Sequence, residues 1–175
     1  MDSNLSDDEI KTLASLLAKL DPGFLPPPIF YQVARLTVTP IIEIIPLHYE
    51  LGGKIDVLLL QRDQNDPIWP GKWHVPRTVV RASDDAASPF VRILSDELAN
   101  TPSSQPVFVK NVFRNSGRGV EASQIYCVEI TGKPTIGELY DIKQLPGTML
   151  ESQSVLIPAA VETFLATRKP TLKFQ

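Results

Sequence analysis

The stretch Ser88-Pro89-Phe90-Val91-Arg92-Ile93-Leu94-Ser95-Asp96-Glu97-Leu98-Ala99 decides the fold. Ser88 suits an N-cap and Pro89 the first helical position, so the segment predicts a helix over residues 88–99. A start near Asp84 would place Pro89 inside the helix and lose a hydrogen bond. At about 100° per residue, Phe90, Val91, Leu94 and Leu98 fall on one side, the expected core side. Arg92 and Asp96 lie one turn apart on the other side. Ile93, Asp96 and Glu97 share an arc of roughly 100°. Ile93 is an apolar residue in that otherwise polar arc.

Upstream of this helix, residues 73–81 read as extended and residues 63–72 as a polar, Pro/Gly-containing loop. Residues 36–49 and 54–62 read as two strands joined at Gly52-Gly53. Pro40 and Pro46 predict that the first strand is bent or at a sheet edge. An N-terminal helix is signalled by the capping box of Ser6 and Glu9, the Leu5/Ile10 staple, and Ile10, Leu13, Leu17 and Leu20 at helical spacing. Asp21-Pro22-Gly23 ends it, and Leu25-Pro26-Pro27-Pro28 reads as a stiff connector. Downstream, 101–106 is a loop, and 107–114 and 123–130 are strands around the turn at 115–119. A short strand follows at 139–142 and a last helix at 155–168. This mixture predicts an α/β (α+β) fold with a mixed sheet between helices. With 175 residues the expectation is one domain: an N-terminal helix and connector over 1–28, and a core over about 36–168.

The central segment resembles a Nudix box, which runs Gly, five residues, Glu, seven residues, then Arg-Glu-apolar-any-Glu-Glu, any and Gly. Here Thr78, five residues, Asp84, seven residues and Arg92-Ile93-Leu94-Ser95-Asp96-Glu97-Leu98-Ala99 keep the spacing without a gap. Arg92, Leu94 and Glu97 match. Asp84 and Asp96 keep a carboxylate one methylene shorter. Thr78, Ile93 and Ala99 depart from the pattern. The approach Trp69-Pro70-Gly71-Lys72-Trp73-His74-Val75-Pro76 resembles the family's, with Arg77-Thr78 where Gly-Gly is usual. Residues 137–146 resemble the late segment before the C-terminal helix.

The resemblance implies a Nudix-like mixed sheet sandwiched between helices. It also implies Mg²⁺-dependent (or Mn²⁺-dependent) hydrolysis of a nucleoside diphosphate linked to another moiety. Mg²⁺ takes hard oxygen ligands and neutralises phosphate charge, so clustered carboxylates on a helix suit it. By resemblance, Arg92, Asp96 and Glu97 are the catalytic candidates, and Asp96 and Glu97, with Asp84, the metal ligands. Arg92 would brace the loop and helix by a salt bridge. Arg62 and Arg77 are candidates for binding substrate. Ile93 cannot ligate a metal, which weakens the implied metal affinity. Asp84, Asp85 and Glu121 are the acids available to compensate. Restoring the acid as Ile93→Glu is expected to raise hydrolysis if the rest of the site is intact. The alternative is a catalytically weak or inactive Nudix-like module that binds a nucleotide or another protein.

Bulk properties narrow the remaining classes. A net charge of −3, from 17 basic and 20 acidic residues, gives no electrostatic case for nucleic-acid binding. The lone Cys127 cannot form an internal disulfide and reads as a small core residue in a strand. His48 and His74 lie far apart and lack a cysteine cluster, so no zinc-site spacing is present. No phosphate-binding glycine loop or Gly-x-Ser-x-Gly elbow occurs. The N-terminus has no secretory pattern, and the apolar runs are too short to span a bilayer, so a cytoplasmic protein is expected. Trp69 is a candidate for stacking on a base, whereas Trp73, at a strand start, reads as a packing residue. The N-terminal helix is a candidate element of a homodimer.

Overall fold

A computed structural model describes residues 4–168. Helix α1 (Asp7–Leu17) starts at the Ser6/Glu9 capping box. Helix α2 (Pro27–Leu36) follows, with β1 (Val38–Tyr49), β2 (Ile55–Gln61), β3 (Trp73–His74) and β4 (Arg77–Val79). Then come α3 (Ser88–Arg92), a π-helix (Ile93–Glu97), the hairpin of β5 (Val107–Ser116) and β6 (Gly119–Glu129), β7 (Glu138–Asp141), α4 (Glu151–Ser154) and α5 (Ile157–Arg168). The seven strands form a mixed sheet with the order β3-β2-β1-β6-β5, to which β4 adds on β1 and β7 on β2.

Strand β1 is central, not an edge. It runs parallel to β6 from Val38↔Val120 to Leu47↔Glu129. It also pairs antiparallel with β4 around Ile42↔Thr78 and with β2 around Leu47↔Val57. The Pro40 carbonyl accepts the Val80 N–H at 3.0 Å. Pro46 falls between the stretch paired with β4 and the stretch paired with β2, where one partner replaces the other.

Alternation along the strands loads both faces of the sheet. Ile45, Leu47, Val57, Leu59, Ile125 and Cys127 pack with Ile157, Ala160 and Phe164 of α5. On the opposite face Ile42, Ile44, Leu58, Val128 and Ile130 pack with Ile93 and Leu98. Burial pushes the Cys127 thiol up to about 11, consistent with a packing residue.

Three expectations need correction. Pro27 and Pro28 do not belong to a stiff connector; they open α2, where missing N–H groups cost nothing. The predicted 155–168 helix is α5, which starts at Ile157, and a short unpredicted α4 precedes it with Val155 at its C-cap. The predicted 88–99 helix is a short α-helix followed by one π-turn, and Ala87 rather than Ser88 is its N-cap. Asp85 caps instead, its carboxylate accepting the Ala87 N–H at 3.0 Å and the Ser88 N–H at 2.8 Å. The core side of α3 is set by Pro89 and, one turn on, Ile93, and the wider π-turn shifts the phase only for the residues after Ile93. Ile93 and Leu98 are fully buried, whereas Val91, expected in the core, is 60% exposed.

Candidate active site

The box region is built by contacts that sequence spacing alone cannot show. Arg92 makes a bidentate pair with Asp84, at 2.5 and 2.7 Å, and donates to the Val79 carbonyl at 2.9 Å. The fork ties the loop after β4 to α3. Arg92 holds the Asp84 carboxyl down to about 2. Both Asp84 oxygens are therefore engaged by Arg92.

The three box positions on the helix separate in space. Ile93 is in the core. Asp96 is exposed and accepts the Ser95 hydroxyl at 2.6 Å. Glu97 is half-buried and accepts the Arg77 backbone N–H at 2.9 Å. Burial pushes the Glu97 carboxyl up, against the pull of that hydrogen bond and of the Arg62 and Arg77 charges.

Arg77, where the family pattern has glycine, folds its side chain into the protein. Its guanidinium donates to Glu121 at 2.6 Å, and both side chains are at most 5% exposed. The other Glu121 oxygen takes Arg118, from the turn of the β5–β6 hairpin, at 2.8 Å. Arg114 lies 3.7 Å from Glu121 and also pairs with the buried Glu43. Glu43 accepts further from Ser123 at 2.8 Å and from Gln153 at 3.0 Å. Glu121 is thus an interior anchor for arginines, held below the usual carboxylate range by them despite its burial.

Arg62 pairs with Asp66 at 2.9 Å. Its guanidinium also lies 5.2 Å from the centre of the Trp69 ring. Arg118 stands 5.2 Å and Arg77 6.0 Å from that ring. Trp69 is held in its loop because the Asp66 carboxylate accepts its N–H at 2.8 Å. Next to this group His74 is buried, its Nδ1 donating to the Val75 carbonyl at 2.8 Å. Burial, reinforced by the Arg62 charge, lowers His74 to about 4.

The two sequence-named substrate candidates, Arg62 and Arg77, therefore converge on one tryptophan, with Glu97 near both. Arg118 was missed by sequence reading. The available signal was an arginine set between glycines at a hairpin tip, Ser116-Gly117-Arg118-Gly119. Nothing in the sequence indicated that this tip reaches the loop carrying Trp69.

These residues do not fit a carboxylate-held Mg²⁺. Ile93 offers no oxygen, both Asp84 oxygens are engaged by Arg92, Glu121 is paired with Arg77 and Arg118, and Asp85 serves as a helix cap, which leaves only Asp96 and Glu97, the latter already bonded to the Arg77 N–H. Among the described residues no three His, Cys, Asp or Glu side chains stand together as a cation site.

Several solved Nudix proteins share this architecture, and the chain has the Nudix fold. It is similar to the Nudix domain of Shewanella oneidensis NrtR complexed with ADP ribose, at 19% identity and TM-score 0.59, over 86% of this chain and 97% of that one. It is also similar to a mutT/nudix family protein from Listeria innocua, at 16% identity and TM-score 0.61, over 75% and 97%. A third is a possible asymmetric diadenosine tetraphosphate hydrolase from Jonesia denitrificans, at 17% identity and TM-score 0.60, over 78% and 99%. No family model and no curated protein matches the sequence.

Proposed function

We propose that this chain is a Nudix-fold module that binds a nucleoside diphosphate linked to another moiety, with Arg62 and Arg77 on its phosphates, and that it turns the ligand over weakly or not at all. The observation that carries this reading is the burial of Ile93 in the core while Asp84 is saturated by Arg92. The fold and the Arg92 brace remain, but the oxygen cluster that would hold a metal does not. Similar solved structures are associated with ADP ribose and diadenosine tetraphosphate, which sets the ligand panel. Thermal unfolding with ADP-ribose, diadenosine tetraphosphate and nucleotide sugars tests the reading. It requires stabilisation by at least one ligand without product formation. Rapid metal-dependent turnover overturns it.

Hydrolysis of the same ligand class with Mg²⁺ or Mn²⁺ is the second reading. The observation favouring it is the Asp96-Glu97 pair, in which Glu97 has a carboxyl raised towards the range of a proton acceptor. It requires product release that disappears in the Asp96→Ala/Glu97→Ala double variant. Homodimerisation through α1 and a cytoplasmic location belong to the same proposal. Ile10, Leu13 and Leu17 of α1 are each at least 44% exposed, which suits a partner helix. No helix among the described residues is long and apolar enough to cross a membrane.

A further inference from the structure

We propose that Arg62, Arg77 and Arg118, gathered round the Trp69 indole, form a metal-independent subsite for the phosphate oxygens of a diphosphate ligand. The proposal rests on the ligand class just stated and adds how that ligand's charge is met.

The first support is a surplus of donors. Each guanidinium carries five N–H groups and no acceptor. The side-chain acceptors that hold these three arginines are one Asp66 oxygen and the two Glu121 oxygens. The Nε atoms of Arg62 and Arg118 are buried without a hydrogen-bond partner. An unsatisfied buried donor costs on the order of 1–3 kcal/mol, so the cluster carries more donors than its own side-chain acceptors satisfy. A phosphate offers several anionic oxygens, and the guanidinium fork matches its geometry.

The second support is mutual repulsion. The charges of Arg77 and Arg62 both act to lower the Arg118 guanidinium, adding to the effect of burial. Glu97, the other carboxyl close to Arg62 and Arg77, has its carboxyl pushed up by burial. Crowded cations of this kind are relieved by an incoming dianion. Trp69 supplies the complementary piece, an electron-rich face that keeps the three cations together when no ligand is bound.

The third support is access. Arg118 also forms part of the wall of a cavity of about 430 Å³, beside Phe24, Phe30, Tyr31 and Val79. Of the cluster, Arg118 alone lines this cavity, so it is the arginine through which a ligand's ring in the apolar space and its phosphates would be joined.

In a Nudix site built round carboxylates, the metal neutralises the phosphate. Here the protein's own guanidiniums take that role, Arg77 from its buried pair with Glu121 and Arg62 and Arg118 from the more exposed side.

The test is titration of the full chain with inorganic pyrophosphate and with ADP-ribose, each in EDTA and in excess Mg²⁺, followed by calorimetry and thermal unfolding. Pyrophosphate is expected to bind in EDTA, with no gain in affinity from Mg²⁺. Arg118→Gln is expected to weaken that binding at least tenfold. Arg118→Lys, which keeps the charge but lacks the Nε donor, is expected to fall between. Should Arg118→Gln not fold, the wild-type titration in EDTA and the Lys variant still decide. Binding of pyrophosphate only with Mg²⁺, or wild-type affinity in Arg118→Gln, overturns the proposal. ADP-ribose binding that requires Mg²⁺ removes this proposal but leaves the ligand class standing. No binding of ADP-ribose or the wider panel under either condition removes both.

Discussion

The Glu97 carboxylate accepts the backbone N–H of Arg77 at 2.9 Å, across 20 residues of sequence, and so joins the π-turn to the start of β4. One carboxylate that the motif marks as a metal ligand is here a bracket between two elements. A neutral acceptor can make the same bond. Glu97→Gln is therefore expected to keep wild-type stability within ~1 kcal/mol at neutral pH, because it also removes the cost of a half-buried charge. Glu97→Ala leaves the Arg77 N–H unpaired and is expected to lose about 1–3 kcal/mol. Urea unfolding of the two variants separates these outcomes. Equal losses would show that the charge itself, not the bracket, matters.

Ile93→Glu is expected to destabilise the chain rather than restore a metal ligand. Ile93 is fully buried among Ile42, Ile44, Leu58 and Val128. An unpaired buried carboxylate costs about 3–5 kcal/mol, against ~1 kcal/mol for Ile93→Val. Denaturant midpoints for the two variants give the comparison. A stable Ile93→Glu protein with new Mg²⁺ affinity would mean that the π-turn can reset its phase.

Ala99→Gly is expected to stabilise by up to ~1 kcal/mol. Ala99 has φ 45°, in the left-handed region where a Cβ is penalised, at the position where the box has glycine. The backbone has kept a glycine conformation that the side chain has not. A change in thermal midpoint reports it, and a fall would show that Ala99 makes a compensating contact.

His74 sets a pH dependence. Its folded pKa is about 4, against an ordinary value of 6.5. Between these values the unfolded chain binds a proton that the folded chain excludes. Stability therefore falls as pH drops from about 6.5 to about 4, and this contribution is flat outside that window. The full loss is roughly 3 kcal/mol. His74→Gln should flatten the slope in chemical unfolding measured across that range. An unchanged slope would place the pH dependence on other groups.

The parts of the fold legible in the sequence were those fixed by local chemistry. The Ser6/Glu9 capping box, the Gly52-Gly53 turn and the alternating strand residues each specify their own geometry within a few positions. Box spacing with its flanks identified the architecture. What failed did so for non-local reasons. Pro40 and Pro46 suggested an edge, but β1 is paired on both sides, with β4 giving way to β2 around Pro46. The wheel set Val91 on the core side and Ile93 off it, but the helix faces the other way: Ile93, one turn after the buried Pro89, enters the core, while Val91 is 60% exposed. Arg92 as a brace was readable because its partner Asp84 sits at the motif's own spacing. Arg118 was not, because its place beside Trp69 depends on a hairpin reaching a loop some 50 residues earlier.

Gly119 carries a consequence for how the chain tolerates shortening. Its φ is +131°, and a Cβ there would lie 2.4 Å from the carbonyl oxygen of Ala34. The hairpin tip that presents Arg118 is thus seated directly on α2, whose Phe30 ring also faces Arg118 at 5.6 Å. A trimmed version beginning at β1 would keep every letter of the motif and the whole sheet. It would lose the seat that aims Arg118, so residues 27–36 belong inside any minimal unit expressed for binding work.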